Sequence, residues 1–112
     1  MFKILFLGSH LQSFYCLRYL LTLKKFIKVI GIVPHSVQPP IKMMQDVRNI
    51  AKKNGIPIFK FEDIEKLNYD LGISLLYDRI LGEKAINQPK LGFINLPNCE
   101  EFIYSDVFSN IF

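Results

Sequence analysis

The sequence predicts an α/β fold in which a parallel sheet of about five strands is flanked by helices. Two observations carry this. Four runs, Phe2 to Leu7, Lys28 to Val33, Leu71 to Leu76 and Leu91 to Leu96, are nearly continuous in apolar residues. That is the pattern of strands buried on both faces of a parallel sheet, where no polar side is needed. Between the runs lie segments with apolar residues at helical spacing. Strand and helix therefore alternate, the order that builds parallel sheets through crossovers. The 112 residues, half of them apolar, suffice for one core and are expected to form a single domain.

The elements follow in order. The run FKILFL is stopped by Gly8-Ser9, and Ser9 or Ser13 is placed to cap the next helix. Phe14, Leu17, Leu20, Leu21 and Leu23 give helical spacing to about Phe26. The second strand, KVIGIV, ends at Pro34, and the proline-rich loop His35 to Pro40 excludes a helix start before Ile41. Met43, Val47, Ile50 and Ala51 mark a helix to Lys53, which Asn54-Gly55 closes. Ile56 to Phe59 reads as a short strand near a sheet edge, because Pro57 has no N–H to give a ladder. Glu62 to Leu67 fits one or two helical turns, and Gly82 to Asn87 a short helix between the last two apolar runs. From Glu100 on the pattern is ambiguous, although Val107, Phe108, Ile111 and Phe112 recur at helical spacing.

Composition removes several function classes. The net charge is +4, but the basic residues are scattered. Lys24, Lys25 and Lys28, and again Lys52 and Lys53, fall where helices end and complement the helix dipole. No basic run carries interleaved aromatics, so nucleic-acid binding is not expected. Cys16 and Cys99 fit no metal spacing and are expected to be two reduced thiols. The opening apolar run is too short for a secretory signal, and no run approaches the roughly 20 residues needed to cross a bilayer. A cytoplasmic protein without a metal site is expected.

Three places could carry chemistry. Gly8-Ser9-His10 joins the first strand to the first helix, the turn that faces the ligand crevice in doubly wound sheets. The dinucleotide fingerprint G-x-G-x-x-G is missing there, so a plain turn and a turn that touches a ligand both remain open. His10 and His35, the two histidines, both follow strand ends. Tyr77-Asp78-Arg79-Ile80-Leu81 follows a buried strand; taken alone it reads as a turn with Asp78 capping a helix. Asn95 ends the last strand, where its amide can donate to a developing oxyanion or simply close an Asx turn with Pro97-Asn98.

Taken together, the order apolar strand, Arg79-Ile80-Leu81, about a dozen residues, then Leu91-Gly92-Phe93-Ile94-Asn95-Leu96 resembles the core of the folate-dependent formyltransferases. The opening KILFLGS, the Cys16-Leu17 helix, KVIGIV and VRNIAKKNGIPIF resemble the N-terminal half of that domain, which extends the likeness over nearly the whole chain. The methionyl-tRNA and sugar-amine branches are nearer than the glycinamide ribonucleotide branch, whose glycine-rich phosphate loop is missing. The resemblance implies a Rossmann-like sheet of the formyltransferase N-terminal type and 10-formyltetrahydrofolate as formyl donor. It implies that Tyr77 to Leu81 lines the pterin pocket and that Asn95 is catalytic, and the crevice-facing turn Gly8, Ser9 and His10 is the candidate substrate contact. The acceptor would be an amino-sugar nucleotide, or a tRNA if the methionyl-tRNA branch applies. The family's catalytic His position is held by Pro97, which moves no proton, and no Asp matches the family's catalytic Asp. The expectation is a partial domain that is weakly active or inactive alone, or a non-catalytic folate- or nucleotide-binding module acting through a partner chain. An uncovered sheet edge beyond Asn95 would favour self-association.

Overall fold

The computed structural model describes residues 2–8, 11–23, 25–34, 47–75 and 81–96. Four strands, β1 (Phe2–Leu7), β2 (Ile27–Val33), β3 (Leu71–Leu75) and β4 (Phe93–Leu96), form one parallel sheet in the order β2-β1-β3-β4. The described helices are α1 (Leu11–Leu21), α2 (Val47–Lys53) and α3 (Glu83–Asn87), with a 3₁₀ turn at Phe61–Lys66. The expected fifth strand is reduced to a single bridge between Ile58 and Ile32. Ile32 N–H donates to the Pro57 carbonyl at 3.0 Å and Phe59 N–H to the Ile32 carbonyl at 2.8 Å. Pro57 offers no N–H of its own, so the ladder cannot extend past this contact.

The sheet has two apolar faces, which explains the unbroken apolar runs. Ile4 and Phe6 of β1 pack in one cluster with Cys16, Leu17 and Leu20 of α1 and Val47, Ile50 and Ala51 of α2. Leu5 and Leu7 point the other way, into a cluster with Ile64 of the 3₁₀ turn, Tyr69 and Ala85 of α3. In β2 the alternation survives a bulge. Ile4 pairs with Val29 but Leu5 with Gly31, so Ile30 is the extra residue and Ile32 and Val33 return to the faces of Phe6 and Leu7.

One register row explains two glycines. Gly31, Leu5, Gly72 and Phe93 lie side by side across the four strands. A methyl group at Gly31 would stand 2.3 Å from the Phe59 ring, and one at Gly72 would stand 2.1 Å from the Phe93 ring. Each glycine is a floor on which an aromatic ring lies, with Leu5 between them.

Element ends depart from the spacing in three places. The first helix stops at Leu21, short of the expected Phe26. The Thr22 N–H and Oγ1 both donate to the Tyr19 carbonyl, at 3.0 and 2.6 Å, and the Leu23 N–H donates to Leu20 at 3.0 Å. This tightened turn lets Ile27 enter the sheet and leaves Phe26 exposed. Ser13 is not the cap; it lies inside α1, fully buried. The last strand begins at Phe93, not Leu91, because Gly92 takes φ +77° and turns the chain into the ladder. By contrast, the Asn54-Gly55 stop is as expected. Gly55 sits at φ +67°, its N–H donates to Lys52 at 3.4 Å, and Ile56 N–H reaches back to Ala51 at 2.8 Å, a Schellman motif. The expected helix residues before Val47, including Met43, and the tail from Glu100 lie outside the described residues. Cys16 is buried and in no disulfide, and Cys99 lies outside the described residues.

Tyr69 is the odd member of the core. Its ring meets Phe93 edge-to-face at 6.1 Å, and its buried hydroxyl has no hydrogen-bond partner among the described residues. Burial pushes the phenol well above its ordinary range. Tyr69→Phe should therefore keep the packing and raise stability by about 1 kcal/mol, measured as the urea midpoint. The unfolded phenol ionises near pH 10 while the folded one holds its proton. Stability should thus fall as pH rises past about 10 in the native chain, and less steeply in Tyr69→Phe. No helix among the described residues is long and apolar enough to cross a membrane.

Candidate functional site

All four strands run the same way, so their C-terminal ends share one edge of the sheet, the edge at which open α/β sheets hold ligands. Gly8 follows β1 at this edge. It is buried, has φ +144°, and donates its N–H to the Val33 carbonyl at 3.0 Å. A methyl group there would stand 2.7 Å from both the Leu75 carbonyl oxygen and Ser13 Oγ. Ser13 Oγ in turn approaches the Leu75 carbonyl at 3.5 Å. Gly8 is thus the point where the ends of β1 and β3 and the first turn of α1 close on one another. Only a residue without a side chain fits.

Asn95 sits on the same edge. Leu7 pairs with Ser74 and Ser74 with Asn95, so the Asn95 backbone lies two strand spacings, roughly 10 Å, from that of Leu7. Ser74 is buried and Asn95 is exposed. The alternation that sends Phe93 to the Tyr69 face sends Asn95 to that face too. An exposed carboxamide at a strand end offers two N–H donors and a carbonyl acceptor to a ligand above the edge.

Leu81 lies between the end of β3 and α3, partly buried against the cluster of Leu5, Leu7 and Tyr69. It supplies an apolar wall on the Asn95 side of the sheet. α3 then starts at Gly82, which is extended and has no side-chain cap. The remaining predicted site residues, Ser9, His10, Tyr77, Asp78, Arg79 and Ile80, lie outside the described residues, as does His35. Among the described residues no group of three His, Cys, Asp or Glu could hold a metal.

Gly8 and Asn95 therefore lie on one edge, Asn95 exposed and Gly8 buried two strands away, while Leu81 packs on the face of the sheet that Asn95 shares. Sequence reasoning placed Ser13 only as a cap. The structure uses it to tie α1 to β3, and the signal was a lone serine within an apolar helical stretch. The Leu75 carbonyl, a backbone group, gave no sequence signal.

Comparisons with known proteins bear on this edge. The chain is 28% identical over 107 residues to a methionyl-tRNA formyltransferase of Thermotoga neapolitana, covering 84% of this chain and 34% of that protein. Its fold matches an N-formyltransferase from Helicobacter canadensis, solved in complex with folinic acid and dTDP-3-aminofucose, with a TM-score of 0.62 at 18% identity. That match covers 81% of this chain and 34% of the other. No family model matches. The chain thus spans about a third of the length of each of these proteins. The similarity to the formyltransferase N-terminal region read from the motifs is present in both sequence and fold, with four described strands where about five were expected.

Proposed function

We propose that this chain, similar in sequence and fold to the N-terminal part of formyltransferases, is the donor-binding part of a formyl-transfer unit. It holds formyltetrahydrofolate at the C-terminal edge of its sheet. The observation that carries this reading is the exposed Asn95 on the same sheet edge as Gly8, with Leu81 packed on the Asn95 face, in a fold shared with an N-formyltransferase solved in complex with folinic acid. Tyr77 to Leu81 lines the pterin, and Gly8, Ser9 and His10 face the acceptor amine. The Asn95 carboxamide donates an N–H to the formyl oxygen as the amine attacks and negative charge grows there. The acceptor is an amino-sugar nucleotide or the aminoacyl end of methionyl-tRNA, in line with the two relatives.

The test is thermal unfolding with and without folinic acid (5-formyltetrahydrofolate). At about 100 times its dissociation constant the ligand should add about 2.7 kcal/mol, several degrees for a domain of this size. No shift on a cooperatively unfolding chain would contradict the reading. Asn95→Ala should leave stability within about 0.5 kcal/mol of the parent, since the side chain is exposed, while lowering any formyl transfer.

Pro97 at the position of the family's His favours a second reading for the chain taken alone. It binds the folate without transferring its formyl group, and a partner chain completes the chemistry. A folinic acid shift with no product from an amino-sugar acceptor would support it. We also propose self-association through β4, whose outer edge has no ladder partner among the described residues. Light scattering at about 100 µM should then report a species of twice the chain mass, since micromolar association is saturated there. A single monomer peak would contradict it.

A further inference from the structure

Away from the sheet edge, α1 and α2 lie side by side on the first cluster and leave a groove of about 520 Å³ between them. Its floor is Phe14, Leu21 and Ile50, and its two cations are Arg18 on α1 and Lys53 on α2. We infer that this groove docks an acidic amphipathic helix of a partner protein, with apolar side chains on the floor and carboxylates meeting Arg18 and Lys53.

Three observations carry this. First, charge is segregated. The sequences of α1 and α2 contain no Asp or Glu, whereas the described carboxylates lie elsewhere: Glu62, Asp63 and Glu65 on the 3₁₀ turn and Glu83 on α3, both packed on the opposite face of the sheet, and Asp70 just before β3, where it accepts from Lys3 N–H. Among the described residues neither Arg18 nor Lys53 pairs with a carboxylate, and Arg18 instead covers the Phe14 ring at 5.7 Å. Second, the groove's other polar side chains are each tied to the backbone of their own helix. Thr22 Oγ1 donates to Tyr19 and Asn54 Nδ2 donates to Ile50 at 2.9 Å. The groove therefore presents an apolar floor with one cation on each wall, the complement of an apolar stripe flanked by acids on both sides. Third, the stretch of α1 from Phe14 to Thr22 is about 12 Å long, which accommodates two turns of a partner helix.

A nucleic acid fits this groove less well. Strand binding rests on successive aromatic faces for bases to stack on, and Phe14 is the one aromatic ring among the residues lining the groove. The inference does not depend on the folate reading, because none of the groove residues belongs to that site.

The experiment is an amide chemical-shift titration of the full ¹⁵N-labelled chain with three probes. One is a designed helical peptide with leucines at i, i+4 and i+7 flanked by Glu. The second replaces each Glu by Lys, and the third is an oligothymidylate. The expected result is that the Glu peptide shifts amides in residues 14–22 and 50–54, that the Lys peptide does not, and that Arg18→Glu/Lys53→Glu weakens the Glu peptide at least tenfold. Both residues are exposed, so an unchanged spectrum outside the groove confirms that the variant folds. Equal binding of both peptides, no binding of the Glu peptide at millimolar concentration, or oligothymidylate binding at these residues in its place would overturn the inference.

Discussion

Gly8→Ala is expected to lower the unfolding midpoint by roughly 10 °C or more, or to prevent folding altogether. Two independent effects add. At φ +144° an L side chain is strained, a cost of about 1–3 kcal/mol. The added methyl would also stand 2.7 Å from the Leu75 carbonyl oxygen, a backbone atom fixed at the end of β3, and equally close to Ser13 Oγ. Ser13 can rotate its hydroxyl away, but the carbonyl cannot retreat without parting β1 from β3, so overpacking adds about 1–3 kcal/mol more. Gly82→Ala is the control. Nothing lies within 4 Å of its added methyl, so it should lose no more than about 1 kcal/mol, the value of a helix cap. Equal effects of the two substitutions in urea unfolding would show that crowding at Gly8 does not hold the strand ends together.

Gly72→Ala should cost about 2–3 kcal/mol for a different reason. Here the obstacle is the Phe93 ring, 2.1 Å from the added methyl, which must swing off the sheet and give up its edge contact with Tyr69. A ring can move where a backbone carbonyl cannot, so the effect should be smaller than at Gly8 and should depend on residue 93. Removing the ring removes the clash. In a double-mutant cycle, Gly72→Ala with Phe93→Leu should therefore be less destabilised than the sum of the single variants by at least about 1 kcal/mol. Additive losses would mean that the ring does not rest on Gly72.

These glycines mark where sequence reasoning stopped. The apolar runs revealed the strands because a sheet buried on both faces needs no polar alternation. β1 was placed to the residue, and the ends of β2 and β3 lie within one residue of those expected. The Asn54-Gly55 stop was legible because its geometry is local. What was not legible depends on partners far along the chain. Leu23 and Phe26 continue the helical spacing, but α1 is ended by the need to place Ile27 beside Phe2. Ile56 to Phe59 has strand composition, yet Pro57 restricts it to one bridge with Ile32. Leu91 looks like the start of β4, but Gly92 turns the backbone before the ladder begins. The motif order pointed to Asn95, and its place on the same sheet edge as Gly8 follows from the register of β1, β3 and β4, which no local pattern encodes. Ser13 and Leu75 meet across 62 positions, beyond the reach of any sequence spacing.

If the C-terminal edge of the sheet is the folate site, as proposed, the most direct test follows the amides of the labelled chain as folinic acid is added. The expected result is a set of saturating shifts centred on Gly8, Leu81 and Asn95, with the 3₁₀ turn at Phe61–Lys66 and the Asn54-Gly55 stop unchanged. Shifts centred on the α1–α2 groove, where the ligand's carboxylates would meet Arg18 and Lys53, or no shifts at millimolar ligand, would contradict it.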